Sequence, residues 1–285
     1  MLNLITSKLG NMSVRSLGGA VVLLCITSAP LVAAPIDRLM DLMKFPEVIE
    51  LLADEGRSMA DDTPDIDLGM PRYAWDSMIT KLYNEDAMHE AFRTELVTAF
   101  GATDLDPIVA FYESDLGREI ADLELDARKA ITDDAVLSAA GDMWAELDPQ
   151  SQRAQLIEDY VSVNDLIELN VVGAMNSDIA YFRGFSAGAK DGMGLNETDI
   201  MREVWAGEPE ARAQVMEWVY GFSALAYQPL DEDEFDAYIA FGKSDAGRAL
   251  NNAMFAAFDN VYADLARGLG AGTALLIQTF DGQEL

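Results

Sequence analysis

Three groups of residues have types and spacings that chemistry could use. The run GFSAG, residues 184 to 188, has the Gly-x-Ser-x-Gly spacing of a nucleophile elbow. There a serine on a tight strand-to-helix turn attacks a carbonyl with the help of a later histidine. Here the residues before Ser186, NSDIAYFR, read as helix, and the single histidine, His89, lies upstream. Two glycines four apart also suit close helix contact, so Gly184 and Gly188 read as packing residues with the hydrolase as the alternative. His89 falls between Met88 and Glu90 in an amphipathic stretch. It lacks the partners of a triad or a histidine metal site, and its catalytic option is as a general base beside a glutamate.

The second group is acidic: Asp61, Asp62, Asp65 and Asp67, then Asp231, Glu232, Asp233, Glu234 and Asp236. Neither stretch has the sixth-position Gly and twelfth-position Glu of an EF-hand loop. The later one reads as a helix start, with Asp231 as cap and Glu234 three residues on in capping-box spacing. Weak, exchangeable calcium binding stays open as a third reading.

The third group is a phrase written twice: AFYESDLGRE at 110 to 119 and AFGKSDAGRA at 240 to 249. With a shift of 130, Leu105, Ile108, Val109 and Phe111 align with Phe235, Tyr238, Ile239 and Phe241, a helical i, i+3, i+4 pattern before each copy. Ser114 and Ser244 read as N-caps, and Asp115 and Asp245 place negative charge at the positive end of the following helix. Gly117 and Gly247, in its first turn, cost about 1 kcal/mol each in helix propensity, which close backbone contact would justify. Arg118 and Arg248 are expected to pair with acids. The eight residues Phe111, Ser114, Gly117, Arg118, Phe241, Ser244, Gly247 and Arg248 therefore read as a structural joint, helix, kink and helix, with no catalytic, cofactor-binding or metal-binding assignment.

The stretch IVAFYESDLGREI resembles the motif of a bacterial envelope family catalogued as domain of unknown function family 2059, over roughly residues 75 to 131. In that family a Phe-Tyr-x-Ser-x-x-Gly-basic phrase joins two helices. The resemblance implies a small helical fold, usually behind a signal peptide, and brings no activity with it. The second copy keeps Phe241, Ser244, Gly247 and Arg248 but has Gly242 where the first has Tyr112. Both copies carry Asp after the serine, where the family often has proline.

The elements that must position these residues read as helices throughout. In PEVIELLADEG, Pro46 suits a first turn and Gly56 an end. Asn84 can cap EDAMHEAFRTELVTAF, whose Met88, Phe92, Leu96 and Phe100 form one stripe ended by Gly101. Thr132, Asp133 and Asp134 open the next helix, and Asp148-Pro149 breaks the chain before Ser151. A long pattern from Arg153 divides near Asn164, and Gly192, Gly194 and Asn196 read as a loop. A helix is expected from EPEARAQ to Pro229. The tail GLGAGTALLIQTF is expected to dock in a groove of the second half, and Trp75, Trp144, Trp205 and Trp218 to lie in core or interface, with an exposed apolar groove for a partner peptide as the functional alternative.

Residues 1–34 hold Lys8 and Arg15, no acid, an apolar run from Leu17 to Ile26 and small residues up to Ala34. This reads as a secretory signal, starting at Met1 or Met12 and too short in its apolar run to anchor the chain. Cys25, the single cysteine, falls inside it, so the mature chain is expected to lack thiol chemistry. Residues 35–285 then carry 17 basic and 50 acidic side chains, a net −33. That charge repels phosphate backbones and excludes nucleic acid as an expected partner. The expectation is an all-α periplasmic protein without a cofactor: signal peptide 1–34, first helical domain 35–148, and a second, related helical domain 149–285 in tandem. Its expected role is a non-enzymatic binding or envelope-maintenance module with a protein or peptide partner; the alternatives are a hydrolase using carboxylates or Ser186 and a weak calcium responder.

Overall fold

A computed structural model describes residues 30–62, 71–190 and 194–280. Met12, Cys25 and the apolar run of the expected signal lie outside the described residues, as do Asp65, Asp67 and Gly192. Among the described residues the chain is all helix, in the order α1 (Pro30–Leu42), α2 (Phe45–Asp62), α3 (Arg72–Leu82), α4 (Glu85–Phe100), α5 (Asp106–Tyr112), α6 (Asp115–Ala130), α7 (Asp134–Glu146), α8 (Gln152–Val163), α9 (Leu166–Gly188), α10 (Glu197–Ala226), α11 (Glu232–Lys243) and α12 (Asp245–Phe280). The expected all-α class holds.

Local chemistry sets most of the ends. Asn84 accepts from the Ala87 amide at 3.0 Å and opens α4, and Gly101, with φ 52°, closes it. Ser151 does the same for α8, accepting from Ala154 at 3.2 Å. Asp231 and Glu234 form the capping box of α11, each side chain bonding the other's amide, at 2.8 and 2.9 Å. Between these ends, Met88, Phe92, Leu96 and Phe100 are all buried along one face of α4.

Three expectations need correction. Gly56 does not end α2, which runs six residues further; the Tyr83 ring lies where a side chain at Gly56 would stand. The helix expected from Glu208 starts at Glu197 and runs through Pro209. Val204 and Ala211, buried on either side of the exposed proline, hold both turns in place, so packing outweighs the local break. The tail from Gly268 does not dock as a separate segment. It continues α12, and Gly268 and Gly272 sit against Leu82 and Met78 of α3.

Two hydrophobic cores result, and each draws on both sides of residue 148. The first joins Ile36, Ile49, Phe92 and Ile108 of α1, α2, α4 and α5 to Tyr181 of α9 and Ala257, Val261 and Leu269 of α12. The second joins Ile120 and Ala127 of α6 to Ile157 of α8, Val219 of α10, and Phe235 and Ile239 of α11. The expected boundary falls in the turn between α7 and α8, and neither core stops there. The helix that follows each copy of the repeated phrase, α6 or α12, packs into the core built mainly by the opposite half.

A second correspondence lies outside the phrase. The turns between α1 and α2 and between α8 and α9 each hinge on one left-handed residue, Lys44 with φ 58° and Asp165 with φ 50°. Among the described residues these are the positive-φ positions that are not glycine. Asp tolerates that conformation better than most residues; Lys44 is held there by the surrounding helices and by its ion pair with Asp122 of α6 at 2.8 Å.

Candidate functional site at the seam between the motif copies

Each copy of the phrase spans the end of one helix, a tight turn and the start of the next, α5 to α6 and α11 to α12. The Ser114 hydroxyl accepts from the Gly117 amide at 3.0 Å and donates to the Phe111 carbonyl at 2.6 Å. Ser244 repeats both bonds at the same distances with Gly247 and Phe241. A Cβ on Gly117 or Gly247 would collide with the carbonyl of Phe111 or Phe241, so the close approach is to the preceding helix of the same joint. Arg118 pairs with Asp115 at 2.6 Å and also donates to the Glu113 carbonyl; Arg248 pairs with Asp245 at 2.5 Å and donates to the Lys243 carbonyl. These side chains close the last turn of one helix onto the first of the next.

The two joints meet. The rings of Phe111 and Phe241 stack with centroids 3.8 Å apart and planes 6° from parallel. Tyr238 extends the stack on Phe111 at 5.9 Å, and Tyr112 meets Phe111 edge-on at 5.2 Å.

Directly behind this stack lies a polar network that sequence reading did not find. Glu124 of α6 accepts through one carboxylate oxygen, Oε1, from the hydroxyls of Tyr227 at 2.7 Å and Tyr238 at 2.8 Å. Tyr160 of α8 lies 2.7 Å from the Tyr227 oxygen. Tyr227 has one hydroxyl proton and gives it to the carboxylate, so Tyr160 donates in that second bond. Tyr112 of α5, buried and edge-on to Phe111, lies beside this network. The hydrogen bonds themselves link α6 to α8, α11 and the turn after α10.

Although Glu124 as a whole residue is half-buried, its carboxyl group is enclosed by these rings, and burial pushes its pKa above the usual carboxylate value. The bonds from Tyr227 and Tyr238 work against that shift, because they stabilise the charged form. Burial, with the neighbouring carboxylate adding to it, pushes Tyr112, Tyr160, Tyr227 and Tyr238 upward as well, so the phenols stay protonated donors. The sequence did hold one signal. Glu124 lies four residues after Ile120 and three before Ala127, both buried, so an acid occupies a core position of α6.

The other candidates are consumed by structure. Ser186 lies inside α9, and its Oγ accepts from the Leu195 amide at 2.9 Å. Gly184 and Gly188 abut the backbone of Arg267 and Ala271, while Gly270 of α12 abuts the Tyr181 carbonyl. The Gly-x-Ser-x-Gly run is thus one side of the crossing of α9 with α12, a helix-to-helix contact without the strand that an elbow needs. His89 is half-buried at a shallow depression it shares with Met40, Asp41, Glu90 and the Arg93–Asp37 ion pair of 2.6 Å. Among the described residues no group of three His, Cys, Asp or Glu side chains could hold a metal ion. Trp144 stacks on Tyr220 at 4.6 Å and Trp218 on Phe222 at 5.0 Å. Trp205, expected in a core or interface, is 61% exposed, next in α10 to buried Val204.

Among the described residues no helix is long and apolar enough to cross a membrane. Residues 86–144, spanning α4 to α7, match a family described as "Uncharacterized protein conserved in bacteria (DUF2059)". The match begins and ends further along the chain than the expected 75 to 131 and covers the first copy of the phrase. No curated protein matches the chain, and no solved structure does.

Proposed function

We propose that the chain is an exported, internally duplicated helical module that works in the bacterial envelope by binding a protein or peptide partner. The observation that carries this reading is the use made of the repeated residues. In both copies the serine, glycine and arginine are spent on the helix joint and the phenylalanine on the contact between joints. What such a frame offers to a partner is its outer surface. Trp205 at 61% and Val172 at 51% exposure stand on α10 and α9, an antiparallel pair whose register is set by the Glu168–Arg212 and Arg183–Glu197 ion pairs. Isolated apolar side chains are ordinary on surfaces, but an exposed Trp is the residue type that most often anchors an interface.

Export is supported by the basic start, apolar run and small residues of 1–34, the composition of a secretory signal. Duplication is supported by the paired joints at Ser114 and Ser244 and the paired left-handed turns at Lys44 and Asp165. The strong negative charge favours partners of opposite charge.

The test is cross-linking in the envelope of the source organism, with a photoreactive residue at position 205 or 172. The reading expects the same discrete partner from both positions, and its loss in Trp205→Asp with the fold intact. Cross-links no different from those of a photoreactive residue at exposed Glu210, or a chain retained in the cytoplasm, would contradict it.

A further inference from the structure

The Glu124 network stands at the place where α6, from the first half, is clasped by helices of the second. A carboxyl group there can close or loosen that clasp according to its charge. We propose that Glu124 is a proton-operated latch between the two halves of the fold: protonated it holds the α6 to α10–α11 seam closed, and ionised it loosens it.

The geometry supplies the asymmetry between the two states. Among the described residues the groups that bond or act electrostatically with the carboxyl are phenols: Tyr227 from the turn after α10 and Tyr238 from α11 by hydrogen bond, and Tyr112 from α5 and Tyr160 from α8 beside them. Among these described residues no cation acts on Glu124. Arg153, the nearest guanidinium of α8 to this cluster, is engaged by the backbone carbonyls of Tyr227 at 3.3 Å and Leu230 at 2.6 Å and lies over the Phe235 ring. Other charged residues of α6 pair elsewhere: Asp122 with Lys44 and Arg128 with Glu55, both toward the first half, and Asp115 with Arg118 within the joint. An ionised Glu124 thus keeps two donor bonds but remains an enclosed charge without a counter-ion, whereas a protonated one is a neutral member of a hydroxyl network.

The sign of the linkage follows. The folded chain holds the proton more tightly than the unfolded chain, in which Glu124 has the usual carboxylate value of 4.5. Its stabilising contribution is complete below that value and is lost as pH rises through the higher folded-state value. Glu168 and Glu197, held below the usual range by Arg212 and Arg183, respond at more acid pH and with the opposite sign.

Two measurements on the full chain test the latch. The first is a carbon-13 titration of the Glu124 carboxyl, assigned by comparison with Glu124→Gln. A midpoint above the usual carboxylate value is expected, and a midpoint at or below it overturns the proposal. The second compares thermal unfolding of wild type and E124Q between about pH 4.5 and about pH 8. The glutamine keeps the acceptor oxygen and removes the charge. The E124Q melting temperature should rise relative to wild type by a few degrees across that range, with faster hydrogen exchange in α6 and α11 of the wild type at the upper end. Parallel curves overturn the proposal. If E124Q does not fold, Tyr227→Phe removes one donor to the charged form and should move the Glu124 midpoint further up; an unchanged or lower midpoint overturns it.

Discussion

Phe111 and Phe241 lie 130 positions apart in the chain and face to face in the fold, ring centroids 3.8 Å apart and planes within 6°. Each belongs to a copy of the same helix joint, so the phrase that the sequence repeats is also the place where its two copies touch. Replacing either ring by alanine should cost about 2–4 kcal/mol in urea unfolding, since each is half-buried against a core. The double replacement should cost less than the two singles together by roughly 0.5–1.5 kcal/mol, the coupling of an aromatic pair. Additive losses would show that the rings do not interact.

Glycines at different positions should answer alanine in opposite ways. Gly117→Ala and Gly247→Ala drive a methyl into the carbonyl of Phe111 or Phe241, backbone that cannot step aside, and should each destabilise by roughly 2–4 kcal/mol. Gly207, inside α10 with open space around it, should gain up to about 1 kcal/mol on the same change. Chemical denaturation of the three variants decides it, and a gain at Gly117 would contradict the joint as described.

The caps are matched to each other. Ser114→Ala and Ser244→Ala each remove one acceptor from a helix start with the same 3.0 Å bond, and each should cost about 1 kcal/mol. Replacement by aspartate should recover most of the loss, because it accepts the same amide and suits the positive helix end.

Ser186 and His89 separate binding from hydrolysis. Ser186→Ala loses the bond to the Leu195 amide and should cost about 1 kcal/mol in stability, with cross-linking from position 205 unchanged. His89→Ala should leave both unchanged. Loss of a hydrolytic activity in either well-folded variant would establish the enzyme instead. For the calcium reading, a melting temperature that does not move between added calcium and chelator is the expected outcome.

Fold class was legible because it rests on local signals. The Asn84 cap, the four-residue stripe of α4 and the Asp231–Glu234 box act within a turn or two of themselves, and all formed where the residues placed them. What went unread depends on contacts far along the chain. Gly56 has the composition of a helix end, and it is Tyr83, 27 positions away, that keeps it inside α2. Pro209 has the composition of a helix start, and buried Val204 and Ala211 carry α10 through it. The seam was half legible: the repeat pointed to both joints and to their capping and glycine roles, while the contact between them could not be inferred from spacing. Glu124 was missed because one acid among the acids of DLELDAR looks like solvated surface until the second half closes over it.

The interlocking of the halves is tested most directly by native-state hydrogen exchange on Phe241→Ala. The substitution lies in the second half, in the last turn of α11 before the joint to α12. Because α6 belongs to the second core and Phe111 to the stack, protection should fall in α5 and α6 together with α11. Protection lost only beyond residue 148, with α5 and α6 unchanged, would mean that the halves stand independently and that the seam between the two copies does not hold them together.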